Sequence, residues 1–163
     1  MAVYLLDSNH ASTLVTQGHI VRKRIIARIT AGGIFCVILP VVTEVVFGFS
    51  TLPRAIQNMQ EWATIRPSLL LVDVDEEDAF NAAMLQVALR RRGRQLATVD
   101  ALIAIAALRY GLTLLTTDKD TGWCHSPLPP AGPTFPGLPH LRPPRVAPSY
   151  APMQPSRPRS PRR

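Results

Sequence analysis

Four short apolar runs punctuate the first 120 residues: AVYLLD at 2–7, IFCVIL at 34–39, LLLVD at 69–73 and LTLLT at 112–116. Runs of this length, rich in Val, Ile and Leu, predict strands buried on both faces. The segments between them carry helical signals. Ser8 and Asn9 are competent helix caps and open a short segment to about Gly18. Residues 19–31 set Ile20, Ile25 and Ile29 near one face and Arg22, Lys23, Arg24 and Arg28 mostly elsewhere, with Gly32 and Gly33 as the stop. After Pro40, Thr43 and Glu44 open a further helical segment. Residues 51–65 predict another helix with Pro53 near its first turn, and Pro67 breaks the chain before the third strand.

Asp75 is placed to cap the next helix, in which Phe80, Met84, Val87 and Ala88 share an apolar face. Arg90, Arg91 and Arg92 fall in its last turn, where cations favour the negative helix end, and Gly93 ends it. Thr98 is the candidate cap of DALIAIAALRY, a segment apolar enough to be buried on most sides, which Gly111 separates from the fourth strand. Trp62 and Phe80 fall within these helical patterns and read as packing residues. Strands that alternate with helices predict the α/β class: a three-layer α/β/α sandwich around a mainly parallel sheet.

Composition divides the chain. Its 163 residues fit one domain by length, and 47% hydrophobic content is ample for a core. Residues 121–163, however, hold 13 of the 16 prolines, six arginines and no acidic residue. Residues 1–120 carry twelve basic and eleven acidic residues, so the tail supplies +6 of the formal +7. The expected organisation is a domain over 1–120 and a proline/arginine-rich tail without regular structure over 121–163. Such an arm raises affinity for any polyanion without choosing a sequence, so the total charge does not make the domain a nucleic-acid binder. Cys36 and Cys124 form neither a disulfide framework nor a zinc site, which makes a reducing cytoplasm the simpler expectation. The chain shows no signal-peptide pattern and no run of about 18 apolar residues, so no membrane span is expected.

Chemistry gathers at the strand ends. Asp7, Asp73 and Asp118 each follow an apolar run directly, and open α/β sheets collect ligands at the carboxyl ends of their strands. Asp73 reads as the start of an acidic helix cap. Glu44 lies one turn of chain beyond the second strand, and Asp100 lies in the first turn of the most apolar helix. Singly, each acid reads as a cap or turn residue. As a converging set their hard oxygens suit Mg²⁺ or Mn²⁺, which relieves the mutual repulsion of clustered carboxylates. His10 and His19 lack other zinc ligands at local spacing, and Gly32–Gly33 lacks the Lys-Ser/Thr of a phosphate loop.

LLDSN near residue 7, VVTEVVFG near 44, LATVDALIAIAA around 100 and LLTTDKD at the fourth strand resemble, in that order, the acidic motifs of the PIN domain, in particular VapC-like toxin ribonucleases. The resemblance spans residues 3–120. It implies that Asp7, Glu44, Asp100 and Asp118 form a catalytic quartet, with Asp7, Asp100 and Asp118 as metal ligands and Glu44 orienting water. It places Asn9, Thr117 and Asp120 in support, although Asn9 and Thr117 read equally well as backbone caps. It further implies Mg²⁺ (or Mn²⁺)-dependent cleavage of RNA to a 5′-phosphate and a 3′-hydroxyl, a homodimer, and a small antitoxin partner. Arg22, Lys23, Arg24 and Arg28 are candidate contacts to RNA phosphates, against the simpler reading of a solvated helix face. After Asp120 the pattern departs from the family, whose final edge strand is expected to be missing here. The other reading is therefore an inactive, truncated PIN-like protein that binds RNA or antitoxin.

Overall fold

The computed structural model describes residues 3–116. The expectations for Thr117, Asp118, Asp120, the 121–163 tail and a further edge strand lie outside the described residues.

The four apolar runs form four strands, β1 (Val3–Leu6), β2 (Ile34–Ile38), β3 (Leu70–Val72) and β4 (Thr113–Leu115). They pair in the order β3-β2-β1-β4, and every pairing is parallel. Parallel neighbours require crossovers, and helices supply them: α1 (Ser8–Ser12), α2 (Ile20–Thr30), α3 (Leu39–Ser50), α4 (Ala55–Ile65), α5 (Glu76–Arg90) and α6 (Thr98–Tyr110). Two short 3₁₀ turns, Thr13–Val15 and Arg66–Ser68, complete the connections. The result is an α/β/α sandwich. Its core takes Leu5 and Leu6 from β1, Phe35, Val37 and Ile38 from β2, and closes with Leu14, Val41 and Ile103. Each such side chain contributes about 1.5–3 kcal/mol over its exposed state. Trp62 is buried as expected, its ring 6.2 Å from that of Phe49. Among the described residues no helix is long and apolar enough to cross a membrane.

Several local expectations shift. α3 starts at Leu39 rather than near Thr43, with Pro40 in its first turn, where a missing N–H costs no helical bond. α4 starts at Ala55, so Pro53 lies in the turn before it. Ala97, not Thr98, is the N-cap of α6, and no side chain caps that end. At α5, Asp75 and Asp78 exchange side-chain-to-backbone bonds of 3.0 Å each, a reciprocal cap that leaves Asp73 outside it. The Asp73 carbonyl instead accepts the Tyr110 hydroxyl at 2.8 Å. At the far end of α6, Gly111 takes φ 61°, a left-handed conformation that glycine adopts cheaply. The chain then turns at once into β4.

The face of α5 is a larger correction. Phe80, Met84 and Val87 are 58%, 46% and 42% exposed, so the expected packing face points outward. Asp78, Asn81, Ala82 and Leu85 are buried instead, packed toward Ala101 and Ile105 of α6. The deciding residue is Arg109 on α6, whose side chain is only 7% exposed and whose Nη1 donates to Asp75 at 2.9 Å and also to Asp78. A buried guanidinium needs carboxylates on the side it faces. That requirement turns the Asp78 side of α5 inward.

Candidate active site at the carboxyl ends of β1 and β4

Parallel pairing registers Leu6 with Leu115, so the exits of β1 and β4 lie side by side. The Asp7 N–H donates to the Leu115 carbonyl at 3.2 Å, and the next residue, Thr116, is buried beside it. Asp7 is the N-cap of α1 and only 5% exposed. Its Oδ1 accepts the His10 backbone N–H at 2.6 Å and meets His10 Nδ1 at 3.0 Å, and the Thr116 side chain hydrogen-bonds the same carboxylate. Burial pushes the Asp7 carboxyl up, but the bonds from His10 and Thr116 outweigh it and hold the group below its ordinary value of 3.8. Asp7 is therefore ionised at neutral pH.

Glu44 projects from α3, exposed, and its Oε2 accepts the Ser8 hydroxyl. Ser8 follows Asp7 in the chain, so this bond ties Glu44 to the strand end. Ser8 and Glu44 line a cleft of about 440 Å³ together with Asn9, Thr16, His19, Phe49 and Asn58. Asn9 is thus an exposed lining residue. Asp100 lies in the first turn of α6 and is half-buried. Asp118, Thr117 and Asp120 lie outside the described residues. Among the described residues no group of three or more His, Cys, Asp or Glu side chains is close enough to hold a metal ion.

The donor chemistry nevertheless fits a hard divalent cation. Among the described residues the ion-pair contact of Asp7 is with His10, not with a Lys or Arg, so its buried charge has no permanent cation beside it. Carboxylate oxygens in that state suit Mg²⁺ or Mn²⁺.

The basic residues of α2 divide into two kinds. Arg22 donates to Glu61 at 2.7 Å, and the Arg28 guanidinium sits 5.5 Å from the centre of the Tyr4 ring. Lys23 and Arg24 are exposed. Sequence reasoning passed over His10, Thr116 and Ser8. His10 had a legible signal, since the third residue after a helix cap faces back toward it. Thr116 followed from register, one step beyond the Leu6–Leu115 pair. The Ser8–Glu44 bond spans 36 residues and has no local signal.

The family model for the PIN domain matches residues 4–123. Among solved structures, VapBC2 from Rickettsia felis, bound to a DNA fragment of its promoter, is similar at TM-score 0.63 and 19% identity, covering 74% of this chain and 91% of that one. VapBC-1 from nontypeable Haemophilus influenzae gives TM-score 0.59 and 18% identity over 75% and 91%. FitAcB from Neisseria gonorrhoeae gives 0.57 and 23% over 74% and 91%. At these identities the likeness is one of fold. No curated protein matches the sequence.

Proposed function

This chain belongs to the PIN-domain family, and we propose that it is a metal-dependent endoribonuclease, the toxin of a toxin–antitoxin pair. The observation that carries the reading is Asp7: a buried, ionised carboxylate at the carboxyl end of a central parallel strand, with no Lys or Arg paired to it among the described residues. Asp7, Asp100 and Asp118 would hold Mg²⁺ or Mn²⁺. The bound cation would polarise the phosphoryl group and stabilise charge on the departing oxygen.

The chain's own residues do the rest. The Ser8 hydroxyl fixes one oxygen of Glu44, and the other accepts a proton from the attacking water. The water oxygen bonds to phosphorus, the P–O3′ bond breaks, and the departing 3′-oxygen takes a proton from solvent water while Glu44 gives its proton back to solvent, so the phosphate stays on the 5′ end. Lys23 and Arg24 are the α2 cations best placed to meet RNA phosphates, because Arg22 and Arg28 have partners already. Asn9, with Thr117 and Asp120, supports the acids. An antitoxin that covers the cleft and a homodimeric assembly belong to the same reading.

Titration of Mn²⁺ into the full chain by calorimetry, beside D7N and D100N, tests it, with the same samples incubated with a mixed RNA pool. Binding lost in both variants, with cleavage by the unaltered chain alone, is the expected result. Absence of binding by a demonstrably folded unaltered chain would overturn it. Binding without cleavage would favour an RNA- or antitoxin-binding module.

A further inference from the structure

His10 is used by nothing in the proposed reaction, yet it makes two of the bonds that hold Asp7. Its backbone N–H and its Nδ1 converge on one atom, Asp7 Oδ1, at 2.6 and 3.0 Å. The imidazole is well buried, 13% exposed, and sits three residues past the cap, so the turn of α1 itself holds it against the carboxylate. An ionised carboxylate offers about four acceptor positions, two on each oxygen. Oδ1 is thereby filled.

We infer that His10 is a positioning residue that confines cation binding at Asp7 to the other oxygen, Oδ2. The inference rests on the metal-site reading above and deepens it. With one oxygen closed, Asp7 acts as a single-oxygen ligand, and it cannot swing to offer both oxygens without breaking two hydrogen bonds. A carboxylate already held in its binding orientation loses less freedom when the cation arrives, which raises affinity. The Thr116 side chain also bonds this carboxylate, and what the imidazole adds is the second bond to Oδ1, beside the backbone N–H, that closes that oxygen.

Two variants of the full chain separate positioning from support: His10→Leu, which fills the space without a donor, and His10→Asn, whose amide N–H replaces Nδ1–H. Mn²⁺ calorimetry is run on each, with thermal melts in chelator. Expected are a loss of affinity of about 10- to 100-fold for His10→Leu, recovery of most of it by His10→Asn, and melting temperatures that do not follow that order. Equal affinity for the unaltered chain and His10→Leu overturns the inference and leaves the metal site standing. Equal weakness of the two variants also overturns it. No binding by the folded unaltered chain overturns the inference together with the metal site. Where His10→Leu does not fold, ¹⁵N resonances of His10 in the unaltered chain decide during a Mg²⁺ titration. Nδ1 still protonated and hydrogen-bonded at saturation supports the inference, and loss of that proton signal overturns it.

Discussion

Asp7 and Asp78 are both buried aspartates at the start of a helix, the first as N-cap of α1 and the second in the first turn of α5, at 5% and 1% exposure, yet the chain treats their charges oppositely. Asp78 faces Arg109, whose side chain is itself 7% exposed, so its charge is neutralised inside the fold. Asp7 is held by a backbone N–H, an imidazole and a hydroxyl. Those donors keep it ionised, and no Lys or Arg is paired to it among the described residues. A buried charge that has been neutralised holds helices together, whereas one that is only solvated by fixed donors stays available to a cation from outside. Under the proposed function the first serves structure and the second chemistry.

The largest effect that would sharpen this contrast is expected from Arg109→Met, which strands the Asp78 carboxylate in the α5–α6 interface. It should destabilise the domain by about 3–5 kcal/mol, measured by urea unfolding, and leave Mn²⁺ binding by the folded fraction intact. Adding Asp78→Leu to that variant should return most of the loss, because an apolar pair of similar volume replaces the ionic one. Failure to recover would mean that Asp78 does more than answer Arg109.

Asp7→Asn should cost at most about 1 kcal/mol, since an asparagine caps a helix as well as an aspartate, yet abolish Mn²⁺ binding. Large destabilisation without loss of binding would erase the distinction between the two aspartates. The acid limb gives a related test. The folded Asp7 carboxyl lies below its ordinary value of 3.8, so the stability it adds is fully present above that value and is lost as pH falls through the depressed one. Urea midpoints should fall below about pH 4, and Asp7→Asn should flatten that fall. The smallest effect is expected from Phe80→Gln on the outer face of α5, within about 0.5 kcal/mol by the same unfolding measurement, despite the size of the side chain removed.

That last prediction also marks where sequence reading stops. The four strands were legible because buried parallel strands are apolar end to end, so each run announces itself without reference to its neighbours. The stop at Gly111 and the cap at Asp75 were legible for the same reason, since both are settled within a few residues. The inward face of α5 was not. Phe80, Met84 and Val87 carry the stronger apolar signal, and what overrides it is an arginine on α6 that no local spacing connects to Asp78. At the candidate site, Asp7, Glu44 and Asp100 could be nominated from motif and position. The Ser8–Glu44 bond needed the fold, because it joins residues from different crossovers.

The strand order carries a consequence for how the molecule comes into being. β1 is made first, but its two neighbours are β2 and the last strand described, so Tyr4 waits for Phe35 on one side and for Thr113 on the other. Contacts so distant along the chain form late and slowly. The donor that Thr116 gives to Asp7 is therefore among the last to arrive during synthesis. A nascent chain stalled before β4 has an open edge on β1 and an Asp7 held by His10 alone. Under the proposed function, the cell that makes this protein meets a finished nuclease only after the sheet has closed.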